Sequence, residues 1–106
     1  MLTPYDREVA KVFLERLQKV TPVLDMCVYG SRARGDATPE SDMDIFIELE
    51  MVTPQLRQLI SEIAWEVGFD MDRVISTFVA TREQKHTGAL AANPLLLHIE
   101  RDGVRI

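Results

Sequence analysis

Apolar residues at helical spacing open the chain. Val9, Val12, Phe13, Leu17 and Val20 recur three and four apart and predict a helix over residues 4 to 20. Thr3 is a natural N-cap and Pro4 suits the first turn. Asp6 and Glu8 lie near the positive end of the helix dipole, and Pro22 stops the helix. Residues 23 to 29 then alternate, with Leu24, Met26 and Val28 on one face and Asp25, Cys27 and Tyr29 on the other, as in a strand. A short helix is expected over 31 to 35, then a turn at Thr38-Pro39. Alternation is strictest over 43 to 50, where Met43, Ile45, Ile47 and Leu49 share one face and Asp44, Phe46, Glu48 and Glu50 the other. Thr53-Pro54 repeats the cap-then-proline signal. Leu56, Leu59, Ile60, Ile63, Ala64 and Val67 carry a helix to about Val67, and Gly68 is read as its stop.

Residues 69 to 79 read as a third strand, with Met71, Arg73, Ile75, Thr77 and Val79 on one face and Asp70, Asp72, Val74 and Ser76 on the other. Residues 81 to 92 carry mixed signals: Thr81-x-x-Gln84 resembles a capping box, but Gly88 interrupts. Asn93-Pro94 starts a last helix through about Arg101, Gly103 ends it, and residues 104 to 106 can add a short edge strand. The expected fold class is therefore α+β, a small mixed β-sheet with helices packed on one face and the other face open at the acids.

At 106 residues the chain reads as one domain, residues 1 to 106. Its hydrophobic content of 46% and charged content of 27% are those of a soluble globular protein. A net charge of −5 argues against broad nucleic-acid binding, which needs a basic footprint. A single cysteine, Cys27, excludes an internal disulfide and fits a thiol buried in a strand within a reducing compartment. No signal peptide and no apolar run near about 18 residues is present, so no membrane contact and a cytoplasmic location are expected. His86 and His98 have no partner at zinc-ligand spacing.

The chemistry concentrates between residues 30 and 50. On the acidic face of the second strand, Asp42 and Asp44 point the same way, roughly 6.6 Å apart along the backbone. Two adjacent carboxylates repel, and a divalent cation resolves that repulsion; Mg²⁺ favours one or two carboxylates plus substrate phosphates. Upstream, Gly30 and Gly35 permit backbone conformations closed to other residues. Ser31, just after a strand, offers a hydroxyl beside free backbone N–H groups, a natural phosphate cradle. Arg32 and Arg34 carry guanidinium groups suited to triphosphate oxygens. Each of these positions also has a plainer reading: a solvated acid pair, a capping serine, two surface arginines. The plainer readings leave the spacing of the set unexplained.

Gly30-Ser31, ten residues (32 to 41), then Asp42-Met43-Asp44 resembles the signature of the DNA polymerase β-type nucleotidyltransferase superfamily. The short Gly30-Ser31-Arg32-Ala33-Arg34-Gly35 form is similar to the minimal nucleotidyltransferases, antitoxin partners of HEPN-domain toxins. The resemblance implies a nucleotidyltransferase fold, ATP as substrate and Mg²⁺, two ions, as cofactor. It also implies a third carboxylate on a neighbouring strand, where the family has an apolar-Asp-apolar run. Asp72 is the candidate, with Asp70 as competitor; Arg73 departs from that run. Catalysis and metal binding then fall to Asp42, Asp44 and Asp72, and nucleotide binding to Gly30, Ser31, Arg32 and Arg34.

By the same resemblance the chain is a protein adenylyltransferase, a type VII-like antitoxin that moves AMP to a hydroxyl, a tyrosine of a HEPN-domain toxin, within a hetero-oligomer. The competing reading is an antitoxin that neutralises its partner by binding alone.

Overall fold

The computed structural model describes residues 2 to 87 and 92 to 106. Helix α1 (Pro4–Gln18) starts as expected: Thr3 Oγ1 accepts the Asp6 N–H at 3.0 Å, and Pro4 occupies the first turn. It ends two residues before residue 20, because Val20 is 45% exposed and has no apolar surface to bury against. Strand β1 (Asp25–Tyr29), helix α2 (Gly30–Arg34) and strand β2 (Met43–Leu49) follow. Helix α3 (Pro54–Met71) is capped by Thr53, whose hydroxyl accepts from Leu56 N. Strand β3 (Ile75–Thr81) leads into α4 (Arg82–His86), where the capping box between Thr81 and Gln84 is complete in both directions. The reading of Gly88 as an interruption lies outside the described residues. Helix α5 (Pro94–Asp102), capped by Asn93, and the short edge strand β4 (Val104–Arg105) close the chain.

The sheet runs β3-β2-β1-β4. Strand β2 is central, antiparallel to β1 and parallel to β3, so the sheet is mixed and α3 is the crossover that a parallel pair requires. Met43, Ile45, Ile47 and Leu49 are fully buried against Val9, Phe13 and Leu17 of α1 and Ile60, Ala64 and Val67 of α3. Each such side chain contributes about 1.5–3 kcal/mol on burial. This is the fold class the alternation predicted, with helices α1 and α3 on one face.

The opposite face is less open than its acids suggested. Leu96 and Ile99 of α5 pack on Cys27, Phe46 and Ala80 in a second, smaller core. Glu48, expected to be solvated, is 6% exposed and pairs with Lys85 at 3.2 Å. The acidic face is therefore covered in its middle and open at its two ends, near Asp42 and Asp44 and at Glu50.

The largest departure from expectation concerns residues 68 to 74. Gly68 does not stop α3 but lies inside it. A Cβ there would collide with the Arg73 carbonyl oxygen, so glycine serves the close return of the chain. The helix runs on to Met71 and ends at Asp72, in the left-handed conformation (φ 56°), with the Asp72 and Arg73 N–H groups both donated to Gly68 O. Phe69 is held in the helix by stacking on Trp65 one turn earlier, with ring centroids 5.4 Å apart. The third strand thus begins at Ile75, not Phe69.

Candidate active site at the junction of β1, α2 and β2

Strand β1 ends at Tyr29 and delivers the chain to Gly30, whose φ of +74° is poorly tolerated by residues with a Cβ. A second constraint acts there: a Cβ on Gly30 would run into Asp44 Oδ2. The antiparallel register places Tyr29 opposite Asp44, which brings the glycine-serine turn and the aspartate pair together across the sheet. Helix α2 starts at Gly30, one residue earlier than expected, and Ser31 is its second residue rather than its cap. The Tyr29 side chain makes no capping bond, so the first N–H groups of α2 are left to other acceptors. Gly35, at φ +88°, closes the turn with its N–H on Ser31 O.

Asp42 is exposed and Asp44 half-buried. Burial first, and the Asp42 carboxylate second, push the Asp44 carboxyl above its ordinary value, while the Arg34 guanidinium pulls it down. The Tyr29 hydroxyl is pushed up to about 12, by burial and then by the charge of Asp44. It is a neutral hydroxyl beside the carboxylate at ordinary pH.

The two arginines of the turn part company. Arg34 is half-exposed, pairs loosely with Asp36 at 3.5 Å and faces the charge of Asp44. Arg32 corrects the expectation of a phosphate ligand. It is 6% exposed and its donors are occupied: Nη1 on Asp6 at 3.2 Å, Nε and Nη2 on Ser41 O at 3.1 and 2.8 Å, and Nη2 also toward the Thr38 and Pro39 carbonyls. It ties α1 to the loop that ends at Asp42, and so positions the carboxylates without facing a ligand. Asp6 also accepts from Arg73 Nε at 3.4 Å, which accounts for an arginine where the family pattern has an apolar residue. The signal for this network was present in the pattern: Asp6 falls on the α1 stripe with Val9, Ala10, Phe13 and Leu17, and a charge on a buried stripe needs a buried counter-charge.

Asp72 and Asp70 are also corrected. Neither lies on a strand. Asp72 caps α3 and is exposed; Asp70 lies in the last turn of α3 and pairs with Arg16 at 3.4 Å. Among the described residues no three Asp, Glu, His or Cys side chains gather as a metal cluster. In the parallel register the β3 residue beside Asp44 is Ser76. It was not legible as a site residue because the strand had been placed six residues too early. A groove of about 700 Å³ lies between the C-terminal part of α3 and residues 39 to 41, lined by Trp65, Phe69 and Val74 among others; neither Asp42 nor Asp44 lines it.

The geometry has a counterpart among known proteins. The model of the nucleotidyltransferase domain family matches residues 7 to 94. The chain belongs to that family. Among solved structures, this nucleotidyltransferase domain is similar to a toxin–antitoxin crystal structure with AMP-PNP (14% identity, TM-score 0.61, covering 90% of this chain and 70% of that one). It is also similar to a protein from Sulfolobus solfataricus assigned as a nucleotidyltransferase (22% identity, TM-score 0.52, covering 92% and 76%). No curated protein matches the sequence. At these identities the structural likeness shows the fold, a nucleotidyltransferase fold. No helix among the described residues is long and apolar enough to cross a membrane.

The donor set fits a divalent cation. Asp42 and Asp44 lie close enough to feel each other's charge, the Asp44 carboxyl is raised by burial first and by Asp42 second, and the pair sits against a glycine turn whose N-cap, Tyr29, makes no side-chain capping bond.

Proposed function

We propose that this nucleotidyltransferase domain transfers AMP from ATP to a hydroxyl of a partner protein, a tyrosine of a HEPN-domain toxin, and so acts as an antitoxin. The observation that carries the reading is the contact between Gly30 and the Asp44 carboxylate, which joins a phosphate-binding turn to a cation-binding pair. Asp42 and Asp44 would hold Mg²⁺, which supplies charge neutralisation of the triphosphate. Gly30 and Ser31 bind the β- and γ-phosphates through backbone N–H groups and a hydroxyl. Arg34 adds an exposed guanidinium at the rim. The acceptor oxygen forms a bond to the α-phosphorus, the bond from that phosphorus to the bridging oxygen breaks, pyrophosphate leaves and the hydroxyl proton passes to water. The structural likeness to a toxin–antitoxin structure with AMP-PNP supports a protein partner and an adenine nucleotide.

A second reading, neutralisation by binding alone, is favoured by one observation: Ser76, not an acid, flanks Asp44 on β3. Intact mass spectrometry of the co-expressed chain and its genomic neighbour separates the two. A gain of one or more AMP units on the neighbour, lost in Asp42→Asn/Asp44→Asn, is expected. A stable, inhibited complex without that gain establishes binding alone.

A further inference from the structure

Two-cation catalysis needs oxygens to hold both ions, one set bridging and one capping. The register of the sheet lets each position around Asp44 be checked for such oxygens. Asp44 is flanked by Tyr29 on β1 and by Ser76 on β3, both neutral hydroxyls. One step further along this face Phe46 is flanked by Cys27 and Phe78, an apolar row under α5. The next acid on the strand, Glu48, is about 13 Å from Asp44 along the backbone and is held by Lys85. The undescribed residues, Met1 and 88 to 91, carry no carboxylate, imidazole or thiol. Asp36 and Asp102 lie toward Arg34 from outside the sheet, and among the described residues no third ligating side chain gathers with Asp42 and Asp44 as a metal cluster.

We infer that this site takes one divalent cation, arriving with the triphosphate, and that Ser76 occupies the position from which a carboxylate would recruit a second. The inference rests on the nucleotide-binding reading above. The missing oxygens are the capping ones: a second Mg²⁺ could only share the bridging oxygens of Asp42 and Asp44 with the first, and the rest of its shell would be phosphate and water. The parallel pair sets Ser76 beside Asp44 at about the 4.8 Å spacing of adjacent strands, close enough for side chains at the two positions to share an ion.

The test is equilibrium dialysis of the chain against Mn²⁺ and a non-hydrolysable ATP analogue, counting metal and nucleotide retained with the protein. One Mn²⁺ per bound nucleotide is expected for the wild type and for Ser76→Ala. Ser76→Asp is expected to raise the ratio to two. Ser76 is exposed, so the substitution leaves the core untouched, and a thermal melt checks the fold. Two Mn²⁺ per nucleotide in the wild type overturns the inference while leaving the nucleotide site intact. A ratio that stays at one in folded Ser76→Asp overturns the assignment of Ser76. No retained nucleotide at all overturns the proposed function, and the inference with it.

Discussion

Asp6 and Asp44 are carboxylates on structured elements of the same small domain, and they are treated in opposite ways. Asp6 is 2% exposed, yet it has a guanidinium on hand at 3.2 Å and a second at 3.4 Å. Asp44 is half-buried beside another carboxylate, and its nearest cation, Arg34, is spent partly on Asp36. The first arrangement is closed: charge, counter-charge and hydrogen bonds are all internal. The second is left short of positive charge. The contrast supports the proposed reading, in which a bound cation brings the charge that Asp44 lacks. Burial and the Asp42 charge both weigh on the Asp44 carboxylate, and the cation of the proposed reading would offset them.

Four outcomes would sharpen or break that contrast. The largest is in chemistry. Asp44→Asn is expected to cut nucleotidyl transfer by more than about 100-fold, beyond the loss typical of a residue that only supports a ligand. Its melting temperature should be no lower than that of the wild type, since a repelling charge is removed. A folded Asp44→Asn protein with full transfer would break the assignment of the open site.

The next is in stability. Arg32→Ala leaves the buried Asp6 with Arg73 alone and the Ser41 carbonyl without its donors, and should cost toward the lower end of the about 3–5 kcal/mol of a broken buried pair in denaturant unfolding. A loss within about 0.5 kcal/mol, typical of a surface change, would mean that the closed arrangement is not holding the loop.

Mg²⁺ supplies the third. Supplied with a non-hydrolysable ATP analogue, at about 100 times the dissociation constant of that complex, it should stabilise the wild type by about 2.7 kcal/mol and Asp42→Asn/Asp44→Asn far less, read by calorimetric melting.

The smallest concerns pH. The Asp44 carboxyl is raised in the folded state, so the folded chain binds its proton more readily than the unfolded one. Its contribution to stability therefore falls as pH rises from the ordinary carboxylate value through the raised one, and is recovered on acidification. Asp44→Asn should flatten that part of the metal-free stability curve. An unchanged slope would remove Asp44 as its source.

Much of this was legible from local pattern. Thr3, Thr53 and Asn93 cap the helices they were expected to cap, and the Thr81–Gln84 box, read as one of two mixed signals, caps α4, because capping is decided within a few residues. The alternation from Met43 to Leu49 identified the central strand, and the glycine-serine turn and Asp pair could be placed side by side. What failed depended on distant partners. The run from Phe69 to Met71 alternates like a strand, but Trp65 and Gly68 hold it helical. The role of Arg32 required Asp6, and that of Arg73 required the same residue 67 positions away. The third acid was sought on a strand that begins only at Ile75, where β3 itself holds none.

The Asp6 clamp also orders events during synthesis. Helix α1 leaves the ribosome with a carboxylate on its apolar stripe, and the first guanidinium able to neutralise it lies 26 residues later, the second 67. Until Arg32 has emerged, α1 seats only by burying a carboxylate without its main partner, and the Ser41 end of the loop has no anchor. Seating α1 and fixing the loop that ends at Asp42 are therefore one event, because the same guanidinium does both.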